Sequence, residues 1–164
     1  MTSMTAAGRE HHERITVALD QIPALADMLQ EQPRPDDFRD AFEASWVFVT
    51  DTLLPHMQTI EREIYPELER LMQNRHSMAP MRREHAELTR LVSSLSVYRD
   101  ALEADALGPS GSMGLRRVLY RLYALLKVHL AEEAEYLQVL DHNLSPAEQE
   151  ALAQRIAHAG TQPL

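Results

Sequence analysis

Cysteine is absent from this 164-residue chain. Its absence excludes disulfides, thiolate nucleophiles, cysteine zinc sites and cysteine-held iron–sulfur clusters. Any metal must therefore be held by histidine and carboxylate, donors that suit iron, manganese or zinc. Glycine is scarce, at 5 residues, and no stretch alternates apolar and polar residues with the β-branched enrichment of a strand. Cationic side chains are in deficit: 16 Lys and Arg face 25 Asp and Glu, for a formal net charge of −9. That balance opposes nucleic-acid binding, which depends on neutralising phosphates with basic groups. Long apolar runs are also missing. Nothing approaches the ~18 residues that span a membrane, and residues 1–12 are polar, without the apolar stretch of a signal peptide. A soluble, cytoplasmic protein with no membrane and no nucleic-acid partner is the expectation.

What is present favours helix. Hydrophobic residues make up 45% of the chain, and Ala, Leu, Glu, Arg and Met, all good helix formers, are frequent. The length suits a single domain spanning residues 1–164. A first helix starts between Thr5 and Glu10 and shows an apolar face of His12, Ile15, Leu19, Ile22, Leu25 or Ala26, and Leu29, with Pro23 as a kink or break. Residues 31–37, with two prolines, form a loop. A second helix runs over about 36–72, bent at Pro55 and Pro66. A turn at 73–77 leads to a third helix over about 79–104. Residues 107–112, dense in helix breakers, read as the next turn. A fourth helix over about 114–140 carries the cleanest stripe: Leu115, Leu119, Leu122, Leu126, His129, Glu133, Tyr136 or Leu137, Leu140. Ser145-Pro146-Ala147-Glu148 is a capping-box pattern that opens a short fifth helix over about 146–159. The fold class is all-α: an up-down-up-down four-helix bundle, core about 8–141, with the short C-terminal helix capping one end.

Eight histidines occur, and four of them, His12, His56, His85 and His129, fall on the apolar stripes, one on each long helix. His12 to His85 spans 73 residues, and so does His56 to His129. The chain thus reads as two helical hairpins with one histidine layout. The flanks agree: Glu10-His11-His12-Glu13-Arg14-Ile15 parallels Arg83-Glu84-His85-Ala86-Glu87-Leu88. At equal levels of an antiparallel bundle, the four imidazoles converge. Glu133 lies four residues after His129, on the same helix face, a chelating geometry. A buried carboxylate beside imidazoles is costly unless paired or bound to metal. The matching position on the second helix is Ile60. Glu61, one residue on, is the candidate second carboxylate if a π-bulge between Pro55 and Pro66 turns it inward. His11, one position from His12 and about 100° around the helix, is expected to be exposed. His76, His142 and His158 are expected to be solvated. Trp46, Met81 and Tyr98 read as packing residues; Tyr65 and Tyr136 follow the metal motifs and read as packing too, with hydrogen bonds to the ligands as the alternative.

Together, His11-His12-Glu13-Arg14-Ile15, Leu54-Pro55-His56 through Glu61 to Tyr65-Pro66, Met81-Arg82-Arg83-Glu84-His85, and His129 through Glu132-Glu133 resemble the hemerythrin-like, or HHE cation-binding, domain over roughly residues 8–141. The resemblance implies a four-helix bundle with a carboxylate-bridged di-iron centre that binds oxygen. It implies His12, His56, His85, His129 and Glu133 as metal ligands, Glu133 matching the i+4 glutamate common in the bacterial branch. Three positions depart from the oxygen carriers: Met81 replaces a histidine, Ala134 an aspartate and Ile60 a glutamate. The site is poorer in ligands, so open coordination positions favour dioxygen, peroxide or nitric oxide, and a single-metal site is also compatible. Three function classes follow from this: a small di-iron protein handling those ligands or iron itself, a di-iron oxidase or oxygenase acting on a small organic substrate, and a metal-dependent regulatory or interaction module.

Overall fold

A computed structural model describes residues 4–31 and 34–159, with side chains from 11 to 156 within those spans. The side chain of His158 lies outside the described residues. Every regular element among them is helical. Helix α1 covers Met4–Leu19 and α2 covers Ile22–Glu31. The break between them has a local cause. Pro23 lacks an N–H, and its ring would collide with the carbonyl four residues back; that residue is Leu19, where α1 ends.

The next helical segment is long but not uniform. It comprises α3 (Pro35–Phe48), a π-helical turn at Val49–Leu53, α4 (Leu54–Thr59), a second π-helical turn at Ile60–Ile64, and α5 (Tyr65–Leu71). Each π turn precedes a proline and contains the residue whose carbonyl that proline would strike: Asp51 for Pro55 and Arg62 for Pro66. Widening the turn moves the carbonyl aside without ending the helix. Helix α6 follows at Ala79–Glu103 and α7 at Pro109–Asn143. The reading of 107–112 as a turn needs correction: α7 begins at Pro109, because proline at the first helical position supplies a pre-set φ and loses no bond. The reversal instead uses Ala104–Gly108. Helix α8, Pro146–Ala159, opens on the expected capping box, with Ser145 Oγ donating to Glu148 Oε2 at 2.6 Å.

The stripes read from periodicity face inward. Ile15, Leu19, Leu53, Leu88, Leu119, Leu122 and Leu126 belong to one buried apolar cluster, and Ile60, Ile64, Leu68, Met81, Leu137 and Leu140 to a second. On α6 the chain passes between the clusters across His85, on α7 between Leu130 and Leu137 across Glu133, and on leaving α4 between Met57 and Ile60. Leu152 of α8 is buried in the second cluster. Helix α7 is the central element, packed against α1, α2 and α6. No helix among the described residues is long and apolar enough to cross a membrane.

Candidate metal centre

Between the two apolar clusters lies a polar layer. His12 comes from α1, His56 from α4, His85 from α6, and His129 and Glu133 from α7; all five are buried. Glu133 is the hub, only 1% exposed. Its Oε1 lies 3.0 Å from His12 Nε2, and its Oε2 lies 3.4 Å from His56 Nε2 and 3.5 Å from His129 Nε2. His129 Nε2 is 3.1 Å from His85 Nε2, which is 3.0 Å from the Tyr65 hydroxyl oxygen. The donor atoms of His12, His56 and Glu133 all fall within 4.8 Å of one another.

The outer ring nitrogens are engaged as well. His85 Nδ1 donates to Glu61 Oε2 at 3.0 Å, and His129 Nδ1 donates to Glu84 Oε2 at 2.8 Å. His56 Nδ1 meets His11 Nε2 at 3.0 Å. An ionised carboxylate only accepts hydrogen bonds. In a neutral imidazole, Nδ1–H to carboxylate leaves the Nε2 lone pair pointing inward, as metal-ligating histidines require.

Glu61 was the expected second carboxylate ligand. The π turn is present, and in an i→i+5 turn residues five apart come round to nearly one face. It does not bring Glu61 among the inward nitrogens. The carboxylate stands behind His85, with its side chain 41% exposed and Arg82 Nε 3.7 Å away. His11 also differs from expectation: it is partly buried against His56, the ring centroids 4.7 Å apart.

The local electrostatics follow from burial and crowding. Burial by itself would raise the Glu133 pKa, but His56, with hydrogen bonds from His12, His129 and His56, holds it well below the ordinary carboxylate range. Burial disfavours charge on His129, yet its bonds to Glu133 and Glu84 prevail and raise its pKa. His85 goes the other way: burial, aided by the neighbouring His129, lowers its pKa despite the bond to Glu61. His11 is pushed down to about 4, chiefly by burial and then by His56. Burial, followed by Glu133 and Glu61, raises the Tyr65 phenol.

The donor set fits a metal. His85 Nε2 and His129 Nε2 face each other at 3.1 Å while each Nδ1 proton is committed to a carboxylate, so two lone pairs meet unless a positive charge sits between them. The carboxylate of Glu133, ringed by three imidazoles out of reach of water, likewise calls for a cation or for protons. Nitrogen and oxygen donors without sulfur suit iron, manganese or zinc.

Residues 4–154 match the family model described as Hemerythrin HHE cation binding domain. The chain belongs to that hemerythrin family. No curated protein and no solved structure gave a significant match. Membership in this family, with the His/Glu group of His12, His56 and Glu133, supports metal binding by this hemerythrin-like chain.

Two participants escaped the sequence reading although a signal for them existed. His11 and Glu84 are themselves separated by 73 residues, so they are equivalent in the two hairpins. Each precedes an inward histidine and supports the histidine of the paired helix: His11 meets His56, and Glu84 meets His129. For Tyr65 the structure takes the alternative to packing: its hydroxyl lies 3.0 Å from His85 Nε2.

Proposed function

We propose that this chain is a non-haem di-iron hemerythrin-like protein that binds or reacts with dioxygen, peroxide or nitric oxide, or handles iron itself. In this reading one domain spans residues 1–164, its long helical segments run up-down-up-down, and it works in the cytoplasm. The observation that carries the proposal is Glu133. Its Oε1 faces His12 while its Oε2 faces His56 and His129, so one carboxylate is shared between the two halves of the histidine layer. A shared carboxylate of this kind suits a bridge between two ions, one held with His12 and His56 and the other with His85 and His129.

When bound, iron would supply Lewis acidity and open positions for a small ligand. The chain's own residues do the rest. Glu61 and Glu84 fix the tautomers of His85 and His129 through their Nδ1 protons, and His11 does the same for the orientation of His56. Glu133 supplies buried negative charge to offset the cations. Met57, Met81, Leu88, Leu126 and Leu130, all buried, lie within about one helical turn of a histidine of the layer, so the chain flanking the ligands is apolar. The His12 side chain is 10% exposed, against 4% for those of His56 and His85, so the layer is least closed at α1.

The test is metal analysis of anaerobically reconstituted protein, followed by absorption spectra on adding oxygen or nitric oxide. A pair of irons per chain and a ligand-dependent spectrum are the expected result. Protein that retains no iron after desalting would sink the proposal. Protein that holds iron but gives an unchanged spectrum with each ligand would restrict the function to iron handling.

A further inference from the structure

Resting on the metal-centre reading, we propose that the two halves of the layer fill in order, a first divalent cation at His85 and His129 and a second at His12 and His56. The inference follows from where the hydrogen bonds place the ring protons.

An ionised carboxylate accepts hydrogen bonds and cannot donate, so an imidazole nitrogen bonded to one carries the proton. His85 Nδ1 meets Glu61 Oε2 at 3.0 Å, and His129 Nδ1 meets Glu84 Oε2 at 2.8 Å. His129 Nε2 also faces Glu133, but at 3.5 Å, so the single proton of the neutral ring stays on the shorter bond. In this half the outer nitrogens hold the protons. The inward Nε2 atoms, 3.1 Å apart, keep lone pairs for a cation. The other half is arranged in reverse. His12 Nε2 donates to Glu133 Oε1 at 3.0 Å, and His56 Nε2 donates to Glu133 Oε2 at 3.4 Å. There the protons occupy the inward nitrogens, the atoms a cation needs.

To hold a cation, His12 and His56 must each lose the Nε2 proton and take one up at Nδ1, remaining neutral. For His56 that move is opposed. His56 Nδ1 lies 3.0 Å from His11 Nε2, and His11 Nδ1 lies 3.4 Å from Arg14 Nη2. A guanidinium nitrogen only donates, so His11 carries its proton on Nε2 and gives it to His56. The donors run one way, from Arg14 to His11 to His56 to Glu133. Moving the proton to His56 Nδ1 sends it toward His11 Nε2, and the proton that His11 then carries on Nδ1 faces Arg14. Charge acts in the same sense. The carboxylates of Glu61 and Glu84 stand behind the first half and attract a cation, whereas the Arg14 guanidinium stands behind His56 and repels one.

Compactness does not decide the order. The donor atoms of His12, His56 and Glu133 fall within 4.8 Å of one another, but hydrogen bonds through those same atoms draw them together. The first cation can share Glu133 Oε2 from the His129 side while Oε1 keeps its bond to His12.

The experiment follows the histidine ring nitrogens by NMR in chelator-stripped protein made with isotope-labelled histidine and titrated with zinc, a redox-inactive probe. Before zinc, His85 and His129 should carry their protons on Nδ1, and His12 and His56 on Nε2. At one zinc per chain, the Nε2 signals of His85 and His129 should move to metal-bound positions while those of His12 and His56 hardly change. The second zinc should then move the latter pair. Losing the outer partner of a ligating histidine costs about 10–100-fold in metal affinity, so Glu61→Ala combined with Glu84→Ala should erase or invert the order. All four histidines moving together from the first zinc, or His12 and His56 moving first, overturns the order and leaves the metal centre standing. An order unchanged in the double variant overturns its assignment to the two carboxylates. Should that variant fail to fold, the wild-type titration decides alone. Wild type that binds no zinc and no iron removes the centre and the order together.

Discussion

Glu133 shows how one side chain organises a site. Its carboxylate reaches three imidazoles while its own helix supplies only one of them, His129. Replacing it by glutamine preserves shape and removes charge. Glu133→Gln is expected to fold with unchanged helical circular dichroism and to lose most of its bound iron, measured by metal analysis after desalting. Full retention of iron would refute the bridging role. The residues behind the ligands are expected to tune affinity instead. Glu84→Ala frees His129 Nδ1 and Glu61→Ala frees His85 Nδ1, and losing such a partner costs about 10–100-fold in metal affinity. A chelator competition titration reads this directly; affinity equal to wild type would show that packing alone orients the rings. Glu61 is half exposed, so Glu61→Ala is the smaller of the two expected effects.

At the scale of elements, prolines and helix ends govern the local geometry. Pro23 ends α1, whereas Pro55 and Pro66 are absorbed by π turns, and the second of these turns carries Glu61 and leads into Tyr65. The periodicity of the stripe could not reveal that outcome, because a break, a kink and a π turn are all answers to one missing N–H and one steric clash. Helix ends show a similar economy. Gln73, after α5, has φ 50°, and Asp105, after α6, has φ 52°. Both sit in the left-handed conformation that commonly terminates a helix and favours glycine. Gln73 is exposed and offers no buried contact to lose. Gln73→Gly is therefore expected to stabilise the protein by about 0.5–1 kcal/mol, seen as a higher urea midpoint with an unchanged slope. A lower midpoint would mean that the added backbone freedom of the unfolded chain outweighs the relieved strain.

For the whole molecule, the polar layer divides what would otherwise be one apolar core. The two clusters meet across buried imidazoles and a buried carboxylate, an arrangement that costs desolvation unless a cation is present. Metal should therefore stabilise the fold as well as confer chemistry. At a free iron concentration about 100 times the dissociation constant, the gain is about 2.7 kcal/mol, or roughly 5–10 °C in Tm for a domain of this size. A chelator is expected to lower Tm by that amount in wild type and hardly at all in Glu133→Gln. Equal Tm with and without chelator in iron-loaded wild type would separate the layer from folding altogether. Away from the layer, Leu122→Ala in the first cluster should cost about 2–5 kcal/mol and leave iron content per folded chain unchanged.

The sequence by itself determined the helices, their apolar stripes and the inward position of His12, His56, His85, His129 and Glu133. It could do so because these depend on spacings of three and four residues, which a single helix fixes. It also held, in the 73-residue repeat, the pairing of His11 with Glu84. Tertiary structure decided the rest. Whether Glu61 faces a metal or stands behind His85, and whether Tyr65 is packing or touches an imidazole, depends on the π turn before Pro66 and on what α6 presents to it. Those contacts join residues 20 or more apart in sequence, and no local period encodes which atom of one helix meets which atom of the next.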